Sequence, residues 1–108
     1  DPEGIFKADT VLVPLEDGDR VQTLVKMGKK VIVIDLNPLS RSSKYANISI
    51  IDNVVRAFPL LISYIKQFKN NNNKIDLNEF HNSSNIKLCL KYINKNLSQK
   101  FTKYNFKI

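Results

Sequence analysis

The sequence holds one cysteine, Cys89, and one histidine, His81. A lone thiol closes no internal disulfide, and no Cys–His pair is present to hold a zinc ion. Cys89 falls at an apolar helical position and is expected as a small core residue. His81 falls in a polar loop and is assigned no chemistry. No apolar run is long enough to cross a bilayer, and no basic-then-apolar leader opens the chain, so neither a membrane span nor secretion is expected. G-x-G-x-x-G and G-x-x-x-x-G-K-[ST] are both missing, which removes the dinucleotide fingerprint and the P-loop. A G-x-S-x-G nucleophile elbow is missing too. The first residue is Asp1 rather than methionine, and DPEGIFKADTVLV reads as a running segment, so residues upstream are expected and the chain is read as incomplete.

What is present describes one small domain of 108 residues. Its 43% hydrophobic and 25% charged residues are the proportions of a globular protein. The net charge of +7 lies in one half. Residues 1–58 balance eight acidic against eight basic side chains, whereas residues 59–108 set nine lysines against Asp76 and Glu79. That second half has no arginine, and its lysines mix with asparagines. Nucleic-acid binding surfaces interleave arginines with aromatics. A solvated basic face is therefore expected, with no nucleic-acid partner.

The chain is organised around KKVIVIDLNPLSRSSKYANISIIDNVVR, from Lys29 to Arg56. Val31 to Ile34 is an unbroken β-branched run, which suits a strand covered on both faces. A first strand is expected at Thr10–Pro14, a second at Lys30–Ile34 and a third at Asn47–Ile51. Between the first two, LEDGDR turns the chain. Asp19, three residues before Gln22, has the spacing of a capping box. Val21, Leu24 and Val25 then make a short helical stripe, closed by Gly28 as a left-handed C′ residue. Ser40 to Lys44 reads as a loop. A helix is expected from Val54 to Lys69, burying Val54, Phe58, Leu61, Ile65 and Phe68. Pro59 either kinks it or marks where the main helix begins. Asn70 to Asn73 begins an exposed connection, in which Asp76 to His81 form at most a helical turn. Ser83 or Ser84 caps a last helix to Leu97, with Ile86, Leu90, Ile93 and Leu97 inward and Lys87, Lys91 and Lys95 outward. Residues 98–108 either fray or pack on a partner.

The order β-α-β-loop-β-α, then helices, implies a three-layer α/β domain with a short parallel sheet and right-handed crossovers. The divisions expected are 1–69, a nucleotide-binding half; 70–82, a polar connection; and 83–108, a C-terminal helix and tail. Three strands make a thin sheet, so further strands from outside this segment or from a second subunit are expected.

Two strands end beside polar groups, and in open α/β sheets ligands bind beyond the carboxyl ends of the strands. Asp35 either accepts the hydroxyls of a ribose or caps its own turn. Asn37 either meets an adenine edge or simply precedes Pro38 in a turn. Arg41 suits a phosphate through its bidentate fork, or is a surface arginine. Ser42 and Ser43 can add hydroxyl donors. Asn53 and Val54 start a helix, whose free N–H groups favour an anion, and Asn53 is equally an N-cap. Glu16, Asp17 and Asp19 either hold Mg²⁺ or cap a turn, with the capped turn preferred. These residues reach as far as a nucleotide or phosphate site.

The stretch Ala8 to Pro59 carries VPLEDGDR, VKMGKKVI, DLNPLSR and DNVVRA. Together these resemble the C-terminal half of the archaeal 4-phosphopantoate–β-alanine ligases, also called archaeal phosphopantothenate synthetases. From Phe68 onward the likeness is one of style only. The resemblance implies a Rossmann-like core, a cytoplasmic homodimer, and a step of coenzyme A synthesis. The reaction implied joins 4-phosphopantoate to β-alanine, with ATP as co-substrate cleaved to AMP and pyrophosphate through an acyl-adenylate. Mg²⁺ is implied with the ATP. Carried onto this sequence, the family's ATP contacts are Asp35, Leu36, Asn37, Arg41, Ser42, Asn53 and Val54. Arg41 is the residue implied to stabilise the transition state. Ser42 stands where the family commonly has threonine, which keeps the hydroxyl. The family's helical N-terminal half, which adds ATP contacts, is not part of this segment.

Overall fold

A computed structural model of the chain describes residues 2–15, 17–70 and 80–103. The β-branched runs form three strands, β1 (Thr10–Val13), β2 (Lys30–Asp35) and β3 (Ile48–Ile51). They pair in parallel in the order β1-β2-β3, with Val11 opposite Val31 and Ile34 opposite Ile50. β2 is central, and Val31, Val33 and Ile34 are essentially without solvent contact. That is the burial expected of a strand covered on both faces.

Helices fill the crossovers. α1 (Pro2–Lys7) precedes β1, in a stretch that reads from sequence only as a lead-in. Six residues carry too little periodicity to declare a helix, although Pro2 at the first helical position favours one. The Lys29 ammonium donates to the carbonyls of Phe6 and Ala8 at 3.0 and 2.6 Å, ending α1 with a cation. α2 (Gly18–Lys26) joins β1 to β2. Its cap is Asp17, whose carboxylate accepts the Arg20 N–H at 3.1 Å, and not Asp19, which lies in the first turn. The helix begins two residues earlier than the capping-box spacing suggests. At its other end Gly28 has φ +83°, donating to Val25 O at 3.0 Å, while Lys29 N–H reaches Leu24 O at 3.2 Å. This paired closure is the Schellman motif expected of the glycine.

The Ser40–Lys44 segment holds a helix rather than a loop, α3 (Arg41–Tyr45). Ser40 caps it, its hydroxyl accepting the Ser43 N–H at 3.0 Å. Val13, Val21, Leu24, Val31, Val33 and Ala46 then form the core between the sheet and α2 with α3. α4 (Val54–Asn70) follows β3 and runs unbroken through Pro59. It belongs to the opposite face, where Ile34 and Ala57 are buried. α5 (Asn82–Lys103) extends past the expected end at Leu97. Its cap is not Ser83 or Ser84: the His81 carbonyl accepts Ser84 N–H and Asn85 N–H. The polar connection at 71–79 and the tail at 104–108 lie outside the described residues, as does Glu16.

The inward faces of the last two helices are only partly covered. Ala57 and Ile86 are buried, and Val54, Phe58, Leu61 and Leu90 half-buried, but Ile65, Phe68, Ile93 and Leu97 are exposed. Lys87, Lys91 and Lys95 are exposed as expected, and Cys89 is half-buried. No described helix is long and apolar enough to cross a membrane.

Candidate functional site

A cavity of about 450 Å³ opens beyond the carboxyl ends of all three strands. Pro14 and Leu15 come from the end of β1, and Ile34, Asp35, Leu36 and Asn37 from the end of β2. Asp52, Asn53 and Val54 come from the junction of β3 with α4. Parallel strands make this convergence unavoidable, because every strand delivers its last residues to the same edge. Five of the seven candidate residues, Asp35, Leu36, Asn37, Asn53 and Val54, line this one space.

The turn after β2 is held by its own side chains. The Asp35 carboxylate accepts the Asn37 N–H at 3.0 Å through Oδ1, and the Ser40 hydroxyl through Oδ2. Asn37 Oδ1 accepts the Leu39 N–H at 2.9 Å, and Asn37 O accepts the Ser43 hydroxyl at 2.9 Å. Asp35 therefore caps its turn, the plainer of its two sequence readings. A carboxylate has about four acceptor positions, so Asp35 keeps capacity for a ligand. Asn37 likewise builds the turn, and it lines the cavity.

Arg41 and Ser42 are not among the lining residues. The Arg41 guanidinium pairs with Asp19 at 2.6 Å, with both side chains largely in solvent. It lies across Gly18, where a Cβ would collide with its Nε. Ser42 is wholly buried, and its hydroxyl accepts the Asp17 N–H at 3.1 Å. These two residues fasten α3 to the β1–α2 turn, whose first residues, Pro14 and Leu15, form one wall of the cavity.

The start of α4 is already supplied with acceptors. Asp52 Oδ1 accepts the Asn53 N–H at 2.7 Å, and Asn53 Oδ1 accepts the Val55 N–H at 2.7 Å. Asn53 is thus an N-cap, and the carboxylate of Asp52 takes the N–H just ahead of the helix. Asp52 also lies 3.4 Å from Arg56 Nε. From sequence, Asp52 reads only as the end of a strand. The signal that it lines a site is its position one residue beyond β3, equivalent to Leu36 beyond Asp35.

For a metal, Asp17 and Asp19 offer little. Asp17 caps α2 and pairs with Arg20 at 3.4 Å, and Asp19 pairs with Arg41. Among the described residues no three of His, Cys, Asp and Glu gather to hold an ion.

The family model of "Phosphopantothenate/pantothenate synthetase" matches residues 1–96. A Thermococcus kodakarensis protein named 4-phosphopantoate–β-alanine ligase is 58% identical over 69 residues, which is 64% of this chain and 26% of that protein. One of the same name from Methanosarcina mazei is 60% identical over 67 residues, covering 62% and 26%. Another, from Methanospirillum hungatei JF-1, is 45% identical over 95 residues, covering 88% and 39%. The chain thus spans about a quarter of the length of the first of these relatives. The family match runs through every strand and through each turn that lines the cavity: the chain belongs to the phosphopantothenate/pantothenate synthetase family.

Proposed function

We propose that this chain is the nucleotide-binding part of an ATP-dependent ligase that joins 4-phosphopantoate to β-alanine, giving 4′-phosphopantothenate for coenzyme A synthesis. The observation that carries the reading is the cavity at the carboxyl ends of β1, β2 and β3, within a chain whose relatives bear the ligase name. ATP binds there with its ribose at Asp35, beside Leu36 and Asn37, against Val54. Arg41 has only an exposed ion pair to give up. It turns from Asp19 to the phosphates when nucleotide is present, and the Ser42 hydroxyl stays inward, holding the β1–α2 turn in place.

The substrate carboxylate then attacks the α-phosphorus, and pyrophosphate leaves. The guanidinium of Arg41 stabilises the charge that develops on the phosphate oxygens. The amine of β-alanine attacks the acyl carbon of the mixed anhydride, loses a proton and releases AMP. Mg²⁺ would be supplied with ATP and would neutralise charge on the leaving pyrophosphate. The working unit is a cytoplasmic homodimer of the full-length protein.

The test is to incubate the longest gene product containing this sequence with ATP, Mg²⁺, 4-phosphopantoate and β-alanine, and to quantify AMP. AMP that requires both organic substrates is the expected result. A folded protein that binds ATP and releases no AMP would reduce the reading to a noncatalytic nucleotide-binding module.

A further inference from the structure

Ser40 closes the turn after β2, and its hydroxyl has two tasks. The oxygen accepts the Ser43 N–H at 3.0 Å and so caps α3. An N-cap needs only that oxygen. The proton is left over, and two acceptors lie within its reach, Asp35 Oδ2 and Ser43 Oγ. Ser43 donates its own proton to Asn37 O at 2.9 Å. An ionised carboxylate is a stronger acceptor than a hydroxyl, so the Ser40 proton goes to Asp35. A residue that merely capped α3 would have no need of the carboxylate.

The backbone of Asp35 is fixed by the sheet, its carbonyl accepting the Asp52 N–H at 3.1 Å. What remains free is the rotation of its side chain. Oδ1 accepts the Asn37 N–H at 3.0 Å, and Oδ2 accepts the Ser40 hydroxyl. A single donor would let the carboxylate swing about that one bond, whereas one donor on each oxygen fixes its plane. Each oxygen has two acceptor positions and keeps one. Two neighbouring acceptors at fixed separation match two neighbouring hydroxyls, which ribose carries and 2′-deoxyribose lacks. Asp35 lines the cavity, whereas Ser40 is buried, at 5% exposure, and is not among the lining residues. A ligand in the cavity is therefore affected by Ser40 through Asp35.

We infer that Ser40 is a positioning residue, holding the Asp35 carboxylate in the plane that accepts both ribose hydroxyls and so favouring ribonucleotides over 2′-deoxyribonucleotides. This rests on the ATP reading proposed above. A carboxylate held in place beforehand gives up little side-chain freedom when the sugar arrives, and that is the source of the gain in affinity.

The experiment titrates the full gene product with ATP and with 2′-deoxy-ATP. The wild-type protein should bind ATP about tenfold more tightly, the difference expected for one hydrogen bond to a charged acceptor. Ser40→Gly removes the hydroxyl at a position where glycine is tolerated as a cap. It should reduce the ratio to about threefold or less, and Ser40→Thr, which keeps the hydroxyl, should retain it. Ser40→Ala serves if the glycine variant does not fold. Added to Asp35→Ala, Ser40→Gly should weaken ATP binding no further, because the two residues act as one. A purely structural Ser40 would instead weaken both nucleotides equally and would add its loss to that of Asp35→Ala. That result, or equal binding of the two nucleotides by the wild type, would overturn the inference and leave the ATP reading standing. Binding of neither nucleotide would overturn the ATP reading, and this inference with it.

Discussion

Arg41 can lie across the β1–α2 turn because residue 18 has no side chain. It meets Asp19 in solvent, and an exposed ion pair contributes at most about 1 kcal/mol. A guanidinium that ligates a phosphate contributes more, through charge-assisted paired bonds. The two possible roles of Arg41 therefore separate cleanly in one variant. Arg41→Ala in the full gene product should leave thermal stability almost unchanged, yet weaken ATP binding about tenfold or more. Calorimetric titration beside a melting curve checks this, and unaltered ATP affinity would make Arg41 a surface arginine. At this scale the sequence announces Asp35, Asn37 and Arg41 as candidates because their residue types are chemically pointed. It does not announce that Ser42 turns inward to Asp17, since a hydroxyl pattern such as SRSS gives no direction. Nor does it single out Asp52, whose place in the cavity follows from the β2–β3 pairing.

Beside the buried Ile86 of its apolar stripe, helix α5 is attached to the sheet by an amide. Asn82 Oδ1 accepts the Ser49 N–H at 2.9 Å, and its Nδ2 lies 3.0 Å from Ser43 O, Ala46 O and Ser49 Oγ. Asn85 adds a bond to Ser49 O at 2.8 Å. One side chain thus ties the last helix to α3 and to β3 together, and α3 carries Ser40 and Arg41. Removing it leaves several partly buried backbone groups without partners, each costing on the order of 1 kcal/mol or more. Asn82→Ala should therefore lower stability by about 1–3 kcal/mol in urea unfolding, whereas Lys91→Ala, on the exposed face, should be neutral. Equal effects of the two would mean that the amide network contributes nothing. The helical periods of α2, α4 and α5 are readable from the sequence, because the apolar spacing repeats. α3 is not, because five residues make little more than one turn. The task of Asn82 is hidden as well, because its partner Ser49 is 33 residues away.

For the molecule as a whole, the apolar stripe of α4 outruns what the described residues bury. The stripe starts well, with Ala57 covered and Val54, Phe58 and Leu61 half-covered, and ends with Ile65 and Phe68 about half exposed. Leu60, Ile62 and Tyr64 beside them are exposed too. A period-perfect amphipathic helix predicts which face is sticky, but not whether a chain supplies the cover. Contiguous exposed apolar surface of this kind favours association in water. The matched relatives are much longer, this chain spanning 26% of the first of them. The 108-residue chain alone should self-associate, its apparent mass in light scattering rising with concentration. Ile65→Glu combined with Phe68→Glu should return it toward the mass of one chain. Where a longer gene product covers the stripe, the same pair should instead lower stability, because the new charges would be buried without partners. A chain that stays monomeric at every concentration, together with a full-length protein indifferent to both substitutions, would show that the outer half of α4 is simply solvated.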